Sequence, residues 1–206
     1  MNILNAYAGL GGNRALWPTE HHITALEYTQ ELADAYHKLY PLDTVLVGDA
    51  HQYILDHAQK YDMVWSSPPC QSHSRMIRSG RNRKPRYPNM GLYEEIIRLE
   101  HDFKGAWVVE NVIPYYGAMR GPQQIGRHLF WSNVSLAGIE DVKRPKNFIN
   151  LANNKGKAEL QKWLGIKHEG PNLYYEGSHC PAQVYRNMVH PKLGLDILNR
   201  IVEGRQ

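Results

Sequence analysis

No apolar run in the 206-residue chain approaches the length of a membrane span, and Met1 leads at once into a strand-like segment, so neither a transmembrane anchor nor a signal peptide is expected. A soluble chain working in the cytoplasm, with no membrane partner, is the expectation. Cysteine is almost missing. Cys70 and Cys180 stand far apart and outside any metal-ligand spacing, which argues against a disulfide framework and a zinc site; no metal is expected. Internal repeats and low-complexity tracts are missing too. What remains, 42% hydrophobic and 21% charged, is a globular composition sized for one domain over residues 1–206. A formal charge of +4 leans towards polyanionic partners but decides nothing alone.

Short apolar stretches recur along the first half, each ending in residues able to do chemistry. The strand over residues 1–7 runs into Ala8-Gly9-Leu10-Gly11-Gly12-Asn13, a turn expected to open a helix capped by Asn13. Ile23 to Leu26 ends at Glu27, and Tyr28 to Leu39 reads as a helix stopped by Pro41. Thr44 to Val47 ends at Gly48-Asp49, with a helix over Tyr53 to Gln59. Met63 to Trp65 ends at Ser66-Ser67-Pro68-Pro69-Cys70. A helix over Leu92 to His101 precedes Ala106 to Val109, which ends at Glu110-Asn111. Alternating strands and helices predict an α/β fold with a mostly parallel sheet and helices on both faces, whose strand ends open onto a ligand crevice. Residues 133–182 lose this periodicity and read as a small loop-rich insert, before a closing helix over Pro191 to Val202.

The glycines let a ligand approach the backbone, although a Gly cluster is equally a plain tight turn. Glu27 is placed as a ribose-binding carboxylate and Asp49 where an adenine edge would lie; alone, each reads first as a surface carboxylate. The sharpest signal is Ser67-Pro68-Pro69-Cys70-Gln71. Two prolines fix the approach and hold the thiol at the mouth of the sheet, where a buried structural cysteine is the bland alternative. Glu110, at the next strand end, can present an acid to the same pocket. A thiolate adding to carbon 6 of cytosine while an acid meets N3 makes carbon 5 nucleophilic, so this pair suits methylation there.

Through Tyr7-Ala8-Gly9-Leu10-Gly11-Gly12, Pro69-Cys70-Gln71, Glu110-Asn111-Val112 and Gln123-Gln124-Ile125-Gly126-Arg127, in that order, the chain resembles the DNA (cytosine-5) methyltransferase family. The segment from Gln183 to Pro191 resembles that family's last motif. The resemblance implies a Rossmann-like S-adenosylmethionine-dependent methyltransferase fold acting on DNA, as restriction-modification enzymes do, in a bacterium or a phage-infected host cell. It implies a donor pocket lined by Tyr7, Ala8, Gly9, Gly11 and Gly12. Glu27 would hold the ribose, Tyr28 would pack on adenine, and Asp49 with Ala50 would meet its amine. Asn187 and Val189 would complete the pocket. Cys70 is the implied nucleophile, Glu110 the acid at N3, Asn111 the brace of the cysteine loop, Pro69 the carbonyl facing the base amine and Arg127 the contact to the base carbonyl. Ile125 and Arg186 depart from the family pattern, and the insert is far shorter than the usual target-recognition region. A monomer is expected.

Arg75, Arg78, Arg81, Arg83, Lys84 and Arg86 crowd directly after Gln71 and Ser72 with no acid among them, which suits phosphate contacts near a flipped base as well as it suits a solvated loop. The insert adds Lys143, Arg144, Lys146, Lys155, Lys157, Lys162 and Lys167 around Trp163, Tyr174 and Tyr175, which form either a second nucleic-acid surface or a small core. Three rivals stay open. An exocyclic-amine methyltransferase needs an aromatic residue where Cys70 stands. RNA cytosine methylation would use the same base chemistry. A catalytically silent nucleic-acid-binding relative would not need Cys70, Glu110 and Arg127 together.

Overall fold

The computed structural model describes residues 1–78, 87–175 and 179–204. Strands β1 (Asn2–Ala6), β2 (His22–Glu27), β3 (Thr44–Val47), β4 (Met63–Ser66), β5 (Ala106–Val112), β6 (Gln123–Ile125) and β7 (His128–Ser132) make one sheet in the order β3-β2-β1-β4-β5-β7-β6. The first five in that order run parallel, β7 antiparallel to β5, and β6 antiparallel to β7. The chain leaves β1 in one direction and returns to its other side at β4. Between these strands the crossovers diverge, which leaves a crevice at their carboxyl ends.

The central strands are apolar on both faces because helices cover both. Leu4, Ala6, Val64, Trp107 and Val109 pack with α2 (Ala50–His57) and α3 (Gly91–Asp102). Ile3, Met63, Trp65 and Val108 pack with the last helix, α6 (Pro191–Glu203), through Leu193, Ile197, Leu198 and Ile201. Burying each of these four is worth about 1.5–3 kcal/mol. On that side, α1 (Gln30–Leu39) sets Tyr36 against Ala8 and Ala25. Thr29 caps α1 by accepting from Leu32 N, and Asp49 caps α2 by accepting from Gln52 N, so α2 begins three residues before the expected Tyr53.

The helix expected after Asn13 is replaced by tight turns. Asn13 spends its side chain on Asn5 (Nδ2 to Oδ1, 2.8 Å), Arg14 N and Trp17 N close three-residue turns, and Pro18 follows. Arg14 is buried against Asp43, which also accepts from Tyr36 Oη, and this ion pair pins the glycine turn to the segment after α1.

The β6–β7 hairpin, with Gly126 at φ +59°, was not legible as strands. Nor was α4 (Asn154–Leu164), capped by Asn153, within the loop-rich insert. Leu160, Leu164, Ile166 and Phe148 of the insert share a core with Leu10, Leu32 and Ala35 of the glycine-turn side, and with Val184 and Tyr185 on or beside α5 (Gln183–Arg186). Trp163 and Tyr175 pack against that core, whereas Tyr174 is exposed. No helix among the described residues is long and apolar enough to cross a membrane.

Candidate active site

The strand ends open into a cavity of about 620 Å³. At one end the backbone turns sharply: Tyr7, a non-glycine residue, adopts φ +56° and Gly9 φ +58°. Tyr7 is held there by its hydroxyl, which donates to Glu95 on α3 at 2.6 Å. Glu95 is fully buried and also accepts from Ser66 Oγ at 2.7 Å and from His51 Nδ1 at 2.9 Å. Burial and the Glu95 charge push the Tyr7 phenol far above its ordinary pKa.

Ala8, Gly9 and Gly12 line the cavity, and Gly9 N donates to a Glu27 carboxylate oxygen. Tyr28 N donates to the other at 3.2 Å. Burial raises the Glu27 pKa against the pull of these two donors. Gly11 does not line the cavity. A Cβ there would fall 2.4 Å from the Tyr40 ring and 2.9 Å from Tyr36, so its glycine serves packing behind the wall. At Gly12 a Cβ would lie 2.6 Å from Met188 Cβ and from Val189 O, which seats the turn against the last motif. Asn187, Met188 and Val189 thereby join Asp49, Ala50 and an exposed Tyr28 around this end.

At the other end Pro69, Cys70 and Gln71 follow β4. The Cys70 carbonyl accepts from His73 N and Ser74 N, both at 3.0 Å, and Asn111 Nδ2 donates to Pro68 O at 2.9 Å, so strand β5 braces the cysteine loop. Burial, then the charge of Glu110, push Cys70 up to about 11, while Arg127 pulls the other way. Arg127 leaves the hairpin turn to lie 4.9 Å over the Phe148 ring and donates to Arg186 O. Glu110 bonds through Oε1 to His128 Nδ1 at 2.6 Å. Its neighbour in register is Phe130, and His128 lies opposite Val112, so the acid and the imidazole share one sheet face as diagonal neighbours.

Of the residues expected to meet DNA, Gln71 lines the cavity, Ser72 Oγ accepts from Asn89 N at 3.0 Å, and Arg75 Nε donates to Pro114 O at 3.3 Å. The Arg78 side chain and Arg81, Arg83, Lys84 and Arg86 lie outside the described residues. Among the lining residues, sequence reasoning assigned no site role to Thr29, Leu32, Met188 or His128, and gave Tyr175 only to a nucleic-acid surface or a small core. His128 follows Arg127 directly, yet only the strand register reveals what it faces. Tyr175 comes from the aperiodic insert. Its hydroxyl lies 3.5 Å from where a Gly9 Cβ would be, and its phenol is raised by burial and by Glu27, Cys70 and Glu110, so it stands between the two ends.

A family model described as C-5 cytosine-specific DNA methylase matches residues 1–117. No curated protein matches the sequence. Among solved structures, the Dnmt2 methyltransferase of S. pombe aligns with 100% of this chain and 99% of its own at 13% identity and a TM-score of 0.55. The Entamoeba histolytica methyltransferase EhMeth aligns with 100% and 99% at 10% identity and 0.51. A DNMT2 mutant from Spodoptera frugiperda shares 24% identity over 54% of this chain, with a TM-score of 0.39; the match spans 35% of that protein. The first two show the fold, a Rossmann-like methyltransferase sheet.

Proposed function

Because the chain belongs to the C-5 cytosine-specific DNA methylase family, we propose that it transfers a methyl group from S-adenosylmethionine to carbon 5 of cytosine in DNA through a covalent Cys70–base adduct. One observation carries the reading: a thiol, a carboxyl group and a guanidinium from three separate segments line one end of a cavity whose other end holds a buried acceptor, Glu27.

The donor end fits the proposed cofactor by its chemistry. Glu27 would accept from the ribose hydroxyls and Asp49 from the adenine amine, Tyr28 would pack on the ring, and Asn187 with Val189 would close the wall. When bound, S-adenosylmethionine supplies an electrophilic methyl group. The rest falls to the chain. Cys70 loses its proton to solvent and its sulfur bonds to carbon 6. The carbon 5–carbon 6 π pair shifts towards carbon 4, and N3 takes a proton from Glu110. Carbon 5 would take the methyl group as its bond to the donor sulfonium breaks and leaves a neutral thioether, and would then give up its hydrogen as a proton to solvent. The freed pair restores the double bond, Cys70 leaves as thiolate, and the N3 proton returns to Glu110. Pro69 O accepts from the base amine, and Arg127 donates to the base carbonyl oxygen. Gln71, Ser72, Arg75 and the basic residues up to Arg86 meet the strand.

The test is incubation with labelled S-adenosylmethionine and separate pools of duplex DNA, single-stranded DNA and RNA, followed by nucleoside analysis. Label in DNA as 5-methylcytosine is expected. Label in RNA alone would move the substrate, and label on the exocyclic amine would sink the mechanism.

A further inference from the structure

Glu110 is 7% exposed and His128 5%, and their 2.6 Å contact is made inside the cavity wall. A carboxyl group that must give a proton to a ring nitrogen, and later take it back, needs two things. One oxygen must face the base, and the carboxylate left behind must be stabilised while the proton is away. A solvated acid gets both from water. Glu110 has little water, and among the described residues Cys70, Arg127 and Tyr175 feel its charge. Arg127 is partly engaged by Arg186 O and the Phe148 ring.

We propose that His128 is a positioning residue for the N3 proton transfer: its Nδ1–H donates to Glu110 Oε1, turns Oε2 towards the base and stabilises the carboxylate while N3 holds the proton. This rests on the cytosine-5 reading and adds a residue to it. The strand register makes the arrangement possible, because diagonal neighbours on an antiparallel pair share a face and sit within side-chain reach. His128 also stacks against Phe130 at 6.0 Å between ring centroids, which limits the ring's freedom to turn away.

The experiment measures release of tritium from carbon 5 of [5-³H]cytosine DNA without methyl donor. Release requires sulfur addition at carbon 6 and protonation at N3, but no methyl transfer. Three variants are compared with the parent, each checked for its melting temperature. His128→Leu removes the donor, His128→Asn places an amide N–H near the Nδ1 position, and His128→Gln places one near Nε2. The Leu variant is expected to lose about ten- to a hundredfold in release, part of the ~10²–10⁴ that a positioned acid contributes. His128→Asn is expected to recover most of the loss, and His128→Gln little of it. If His128→Leu does not fold, the Asn–Gln difference decides. Parental release in His128→Leu, or equal losses in Asn and Gln, would overturn the role of His128 alone. No release and no methylation by the parent would overturn it together with the reading on which it rests.

Discussion

Glu27 and Glu110 are both buried carboxylates at the ends of parallel strands, on opposite ends of one cavity, yet they are held by different kinds of partner. Glu27 is held by backbone N–H groups from Gly9 and Tyr28, which cannot titrate or swing away. Glu110 is held by a side-chain imidazole through one of its oxygens. A carboxylate fixed by backbone is suited to recognition, where its charge state must not change. One held through a single oxygen is suited to moving a proton on the other. The same residue type at the same topological position is thus divided into two tasks by its donors.

The strongest way to break this comparison is to remove the nucleophile. DNA carrying 5-fluorocytosine should form a denaturation-resistant adduct with the parent in the presence of S-adenosylmethionine, because fluorine cannot leave as a proton does. Cys70→Ala should form none yet bind the methyl donor as the parent does, by calorimetry. Cys180→Ala should behave like the parent, since its sulfur is engaged by Ala152 O in the insert.

Glu110→Gln should lower methylation by about 10²–10⁴ and leave donor affinity unchanged. It should also do the opposite to simple alkylation. The Glu110 charge helps push Cys70 up to about 11, so its loss lowers the thiol pKa, and iodoacetamide should react faster at any pH below that value. Slower alkylation in Glu110→Gln would contradict the electrostatic account.

Glu27→Ala should weaken donor binding by about 1–3 kcal/mol, the cost of leaving buried polar partners unpaired, with the alkylation profile of Cys70 unmoved. A changed alkylation profile would mean that the two ends are not separable. The smallest effect is expected at Asp49→Ala, where an exposed carboxylate caps α2. Loss of that cap should cost about 0.5–2 kcal/mol of stability in denaturant titration, and Asp49→Asn, which can still cap, should recover most of it.

The strand ends were legible because each short apolar run of the first half stops at a polar residue, and a parallel sheet places all such stops on one edge. That logic placed Glu27, Asp49, Cys70 and Glu110 around one cavity without knowledge of any contact. It failed where long-range pairing sets local structure. Asn13 looked like a helix cap, but its amide bonds to Asn5 on the preceding strand, and Arg14 reaches Asp43 across 29 positions. His128 stayed hidden because its partner is set by antiparallel register, which the three-residue strand β6 does not announce. Tyr175 was legible only as part of a surface or a small core, because nothing periodic surrounds it to place it in the cavity.

The core shared by the insert and the glycine-turn side has a thermodynamic consequence. Leu160 and Leu164 of α4 cannot leave their neighbours without uncovering Leu10 and Leu32, which lie beside the cavity end that Gly9 and Leu32 help to line. Local opening of the insert and occupancy of that end are therefore linked equilibria, and a ligand that binds only the closed form adds RT ln(1 + [L]/Kd) to the free energy of opening. Amide hydrogen exchange in α4 is expected to slow as S-adenosylmethionine is added, although no residue of that helix lines the cavity.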